Sequence, residues 1–114
     1  MNTLTLHVRF YATATGTEPV REWLKTLSAL DKKTIGEDIK TVQFGWPLGM
    51  PLVRKLAKDL WEIRIHLVDR IARVIFTLVS NTMVLLHGFI KKSQATPTDD
   101  LTIAKTRMKQ VRGE

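Results

Sequence analysis

Between positions 55 and 92, basic and imidazole side chains recur at spacings that suit a phosphate. Arg64 and His66 share the polar face of a segment in which Trp61, Ile63, Ile65 and Leu67 alternate with Glu62, Arg64 and His66. Arg73 stands near the start of the otherwise apolar run Ile71 to Val79. His87 interrupts the next apolar run and is followed by Gly88, Phe89, Lys91 and Lys92, while Lys55 and Lys58 precede all three segments. If the segments are strands that pair in chain order, these groups gather near one part of a sheet. Arg and Lys there would hold phosphates, and Phe89 would stack on a base. Cleavage of RNA by its own 2′-hydroxyl needs such donors. One group takes the hydroxyl proton, another meets the charge on the scissile phosphate, and a third protonates the leaving 5′-oxygen.

Each residue also has a plainer reading. Arg64 suits a solvated strand face, and Lys91 and Lys92 a solvated loop. An arginine inside an apolar strand needs a partner, so Arg73 is expected to pair with an acid such as Glu62 or Asp69. His87 fits a hydrogen-bonded core histidine. Phe89, Trp23 and Trp61 fit core packing.

Other chemistries are set aside by composition. The chain of 114 residues has no cysteine, which removes disulfides, thiol nucleophiles and zinc ribbons. His7, His66 and His87 lack metal-ligand spacing, the six glycines form no phosphate loop, and the acids form no two-metal cluster. Ser28, Ser80 and Ser93 have no nucleophile-elbow context. No metal and no cofactor is expected. The formal charge of +7 favours nucleic acid or an acidic protein as partner.

The elements that must position these residues follow from periodicity. Residues 3 to 11 alternate as a strand. Thr17 and Pro19 open a helix in which Val20, Trp23, Leu24, Leu27 and Leu30 recur at helical spacing. Asp31 is expected to cap a second helix with Ile35, Ile39 and Val42 as its buried stripe, closed by Gly45 and Pro47. The near absence of a linker suggests an α-hairpin. Val53 to Leu56 reads as a short strand, and three clearer strands follow, turning at Ser80-Asn81. Thr96 is expected to cap a last helix, with Pro97 in its first position and Leu101, Ala104, Met108 and Val111 as its apolar stripe. The order is β-α-α-β-β-β-β-α, in one α+β domain spanning 1–114. No apolar run approaches the length of a membrane span, and Leu4 to Phe10 alternates unlike a signal peptide, so a soluble cytoplasmic protein is expected.

Three segments carry a resemblance: Leu60-Trp61-Glu62-Ile63-Arg64, Ala72-Arg73-Val74-Ile75-Phe76, and Leu85 to Gln94 followed by Thr96-Pro97. In these the chain resembles the RelE/ParE toxin superfamily, specifically its HigB-like, phage-derived Gp49-like branch. The resemblance implies a RelE-like, microbial-ribonuclease-type fold. Two N-terminal helices and a C-terminal helix would pack with a twisted, mainly antiparallel sheet. It implies a type II toxin that enters the ribosomal A site and cleaves mRNA by 2′-hydroxyl attack without metal. It further implies a helix-turn-helix antitoxin, with operator DNA bound only through the complex. Arg73 matches the position linked with the scissile phosphate, Arg64 a basic strand position, and Lys91 or Lys92 the basic position after the last-strand glycine. Glu62 departs from the pattern, since some active members have lysine there, and the terminal aromatic or histidine of some relatives is missing.

The resulting expectation is a ribosome-dependent endoribonuclease with Arg73, Arg64, His87 and Lys91 as catalytic residues. Lys55, Lys58, His66, Phe89 and Lys92 would bind RNA. Two other functions compete: a ParE-like gyrase inhibitor, and a non-catalytic module that only binds its antitoxin.

Overall fold

The computed structural model describes residues 5–92 and 96–114. Its element order is β1 (His7–Phe10), α1 (Pro19–Lys25), α2 (Ala29–Gly45), β2 (Val53–Ala57), β3 (Leu60–His66), β4 (Ile71–Val79), β5 (Thr82–Ile90) and α3 (Thr98–Arg112). This is the α+β order expected from the sequence. One five-stranded sheet is ordered β1-β5-β4-β3-β2. β2 to β5 form an antiparallel meander, and β1 joins β5 in parallel.

The sheet is covered on both faces, which explains why β4 reads as almost continuously apolar. On one face lie α1 and α2. Ile35, Ile39 and Val42 of α2 pack with Ile63, Ile65 and Val74 of the sheet. Trp61 belongs to this layer, with its ring stacked on Phe76 at 5.7 Å and edge-on to Trp46 at 5.2 Å. Trp23 of α1 lies over Gly88, where a Cβ would come within 2.3 Å of the indole. Both tryptophans are therefore core anchors. The opposite face is covered by α3, whose Leu101, Ala104, Met108 and Val111 pack on Leu60, Ile75, Val84 and Leu86.

Several local expectations are corrected. The first strand is shorter than 3–11, covering His7–Phe10, and residues 3 and 4 lie outside the described residues. Glu18, not Thr17, precedes α1. Ser28 caps α2 by accepting from the Asp31 amide at 3.1 Å, a bond worth about 1 kcal/mol. Asp31 instead accepts from Arg70 at 2.7 Å, tying α2 to the β3–β4 turn. α1 packs on β5 and β1 whereas α2 packs on β3. Leu27 lies between the helices, and Leu30 is exposed. Thr96 does not cap α3; its hydroxyl donates to Glu62 Oε2 at 2.9 Å. Arg112 lies at the end of α3 but also reaches the Leu78 carbonyl and Asp59, 3.3 Å away, so it fastens the helix to the sheet.

Candidate active site

Residues paired across neighbouring strands share a face. On the α3 side the register builds three successive rows, about 7 Å apart. The first row is Arg54, Glu62, Ile75 and His87. Arg64, Arg73 and Phe89 form the second. His66 and Ile71 start the third, and the Lys91 amide donates to Ile71 O at 2.7 Å to continue it. The meander therefore gathers Arg64, His66, Arg73, His87 and Lys91 as the sequence suggested.

A β-bulge makes this gathering possible. Phe76 opposes Leu85 and Ile75 opposes His87, so Leu86 is an extra residue in β5. Leu86 and His87 both reach α3, one through the apolar cluster and the other through Asp100. If Leu86 instead paired with Ile75 in an unbroken ladder, the second half of β5 would present His87 and Phe89 to α1 and α2.

At the centre, Arg73 Nη1 donates to Glu62 Oε1 at 2.8 Å. Arg73 is 3% exposed and Glu62 0%. The predicted partner of Arg73 is thus Glu62 rather than Asp69, which lies beside Arg70. Burial pushes the Arg73 guanidinium below its ordinary value; Arg64 and Arg54 push the same way, and Glu62 opposes them. Among the described residues, Arg73 Nε is buried without a hydrogen-bond partner. Lys91 is also held below the usual lysine value, first by desolvation and then by Arg73 and Arg64. Four cations, Arg54, Arg64, Arg73 and Lys91, therefore act on one another around a single buried carboxylate. Beyond them an open cleft of about 670 Å³ is lined by His66, Arg70, Lys91 and Lys92 together with Asp69.

His87 is built into the support of this site. Its Nε2 lies 2.6 Å from Asp100 Oδ1, and Arg107 Nη1 lies 3.5 Å from its Nδ1. Arginine only donates, so Nδ1 faces it as an acceptor and the ring proton on Nε2 goes to Asp100. Arg107 also donates to Leu86 O at 2.8 Å, satisfying a carbonyl at the bulge, and its guanidinium lies over the Tyr11 ring. Both ring nitrogens of His87 thus face α3 side chains.

Of the expected RNA-binding residues, Phe89 is buried within the cluster and two lysines lie away from it. Phe89 is 9% exposed and stacks on His87 at 5.6 Å, so its ring is filled by protein contacts. Lys55 pairs with Trp61 and so belongs to the opposite face. Lys58 sits in the β2–β3 turn, beside Asp59, at the other end of the sheet, about 17 Å along β3 from Arg64. Arg54 was not singled out in the sequence, yet its pairing with Glu62 puts it in the first row. Its signal was parity, because it lies one residue from Lys55. Ser93 and Gln94 of the signature segment lie outside the described residues.

Among the described residues, no three His, Asp or Glu side chains converge as a metal site. Nor is any described helix long and apolar enough to cross a membrane. The family model for phage-derived Gp49-like proteins (DUF891) matches residues 22–109, from the middle of α1 to near the end of α3. No curated protein matches the chain.

Proposed function

The chain belongs to the phage-derived Gp49-like family, a RelE/HigB-like toxin family, and from that premise we propose that it is a type II toxin that cleaves mRNA on the ribosome. The observation that carries this reading is the row structure: Arg54, Arg64, Arg73 and Lys91 surround one carboxylate on a single face of the sheet. In the reaction, the 2′-oxygen forms a bond to phosphorus, the bond to the 5′-oxygen breaks, and the 2′-hydroxyl gives its proton to solvent water. Arg73 and Arg64 meet the charge that grows on the phosphate. Lys91, already held below its ordinary proton affinity, supplies the proton to the departing 5′-oxygen. The charge is met by guanidinium groups, so the scheme calls on no metal. His66, Arg70 and Lys92 guide the strand along the adjoining cleft. His87 acts as a positioning residue through α3.

A family of toxins calls for a silencing partner. The proposed partner is a helix-turn-helix antitoxin, with operator DNA bound through the complex. An acidic surface on that partner would complement the +7 charge of this chain.

The test is inducible expression of wild type and Arg64→Ala with 5′-end mapping of cellular mRNA. Arg64 is partly exposed and pairs with no buried acid, so its loss leaves the core charges balanced. In-frame cuts in translated messages, lost in the variant, are expected. Growth arrest without cuts would reject the nuclease and point to another target such as gyrase. One specific observation favours a second reading, a non-catalytic antitoxin-binding module: Glu62 already occupies the Arg73 guanidinium. Soluble wild-type protein giving neither arrest nor cuts would establish that reading.

A further inference from the structure

A second cavity, of about 320 Å³, lies around the edge of β3 from the cation rows. Its volume is at the low end of small-ligand sites, which run from roughly 300 to 1,000 Å³. Thr34 and Asp38 line it from α2, one helical turn apart. Pro51 and Leu52 line it from the segment entering β2, and Arg64 and His66 from β3. The Arg64 amide donates to Leu52 O at 2.8 Å, which fixes the apolar wall to β3 beside the ladder. Arg64 belongs to both places, since it lines this cavity and pairs with Arg73 in the second row.

Asp38 is the unusual member. The other partly or fully buried acids have partners: Asp31 has Arg70, Glu62 has Arg73, Asp100 has His87 and Asp59 has Arg112. Asp38 is half-buried and makes no hydrogen bond or ion pair among the described residues. Desolvation raises its carboxyl above the ordinary value, Glu37 adds to this, and His66 opposes it. A carboxylate kept half-buried without donors is costly. Donors arriving with a ligand would offset that cost.

We propose that this cavity is a base subsite selecting guanine in the RNA whose phosphate lies on Arg64 and Arg73. The inference rests on the RNA reading above. A carboxylate offers two acceptor oxygens and no donor. Guanine alone presents two adjacent donors on its Watson–Crick edge, N1–H and N2–H. Adenine, cytosine and uracil each set an acceptor beside their donor, against which Asp38 would be repelled. Pro51 and Leu52 supply an apolar surface for the base.

The full chain, titrated at low salt with 5′-GMP, AMP, CMP and UMP and followed by amide NMR shifts, tests this. GMP should bind about ten-fold tighter than AMP, the discrimination of one bidentate pair. Its shifts should centre on Thr34, Asp38, Leu52 and His66. Asp38→Asn should erase the GMP advantage by weakening GMP while AMP, no longer repelled, binds at least as well as before; unchanged amide shifts away from the cavity show that the variant folds. Equal or no affinity for the four nucleotides overturns the subsite, as does a GMP preference that survives Asp38→Asn. Guanine-selective binding by a protein that cuts no mRNA in cells would keep the subsite and reject the nuclease.

Discussion

Arg73 and Glu62 meet on the diagonal of the β3–β4 pair, with Nη1 and Oε1 2.8 Å apart and almost no solvent at either side chain. Deleting one partner leaves an uncompensated buried charge, which typically costs about 3–5 kcal/mol, whereas replacing both with apolar residues is often neutral or stabilising. Arg73→Ala is therefore expected to lower stability as well as abolish toxicity. The double variant Arg73→Met/Glu62→Met should recover most of the stability and none of the toxicity. Urea unfolding and growth assays on the same proteins separate the two effects. A double variant as unstable as Arg73→Ala would show that the pair holds the sheet together.

Asp100→Asn keeps the shape of the His87 partner but weakens a charge-assisted bond. A loss of about 1–2 kcal/mol is expected. Opening of α3 should rise with it, read as faster hydrogen exchange at amides of Leu101 to Met108. If His87 itself moved the proton in catalysis, Asp100→Asn would shift the pH profile of cleavage. A positioning role predicts a lower rate with an unshifted profile.

Gly88→Ala would press a methyl group into the Trp23 indole, whose Cε3 and Cζ3 would lie 2.3 and 2.4 Å away. Neither a strand backbone nor a packed indole yields easily, so a destabilisation of about 1–3 kcal/mol or more is expected. Trp23→Leu in the same chain should restore part of it. Thermal melts of the two variants check this, and additive losses would count against direct contact.

Asp38→Asn is expected to stabilise the chain slightly at neutral pH. The folded-state pKa of Asp38 is raised, so its ionised form is penalised in the native state at pH values above that pKa. Below the unfolded value both states are protonated and the penalty is gone. The stability difference between variant and wild type should therefore shrink as pH falls through the folded pKa. Paired urea titrations from pH 7 downward measure it, and a difference that grows on acidification would contradict the sign.

The fold was readable wherever burial imposes a period. Ile35, Ile39 and Val42, the alternation of Trp61 to Leu67, and the stripe on α3 each identified their faces. Arg73 was readable as an anomaly, because a cation among apolar neighbours has to be neutralised. Partners that arise from long-range contact were not readable. Asp31 lies 39 positions from Arg70, and Thr96 lies 34 from Glu62, so local capping rules gave both the wrong role. The phase of β2 was equally hidden. Val53-Arg54-Lys55-Leu56-Ala57 has no clean alternation, and the strand carries its own irregularity between Lys55 and Ala57. Lys55 was chosen where Arg54 faces the cluster.

The extra residue at Leu86 makes β5 a joint between two halves that answer to different constraints. Ahead of it, Met83 and Leu85 are fixed by the layer under α1 and α2, and Val84 by α3. Beyond it, His87, Phe89 and Lys91 are fixed by the cation rows and the helix above them. A one-residue deletion at Leu86 would close the bulge into a regular ladder and keep both halves on their present faces. The site is therefore tied to Leu86 staying out of the ladder, since its pairing with Ile75 would turn His87 and Phe89 to the other face. Related chains that keep Arg73 but lose the extra residue would retain both the fold and the face presented to RNA, on a straighter β5.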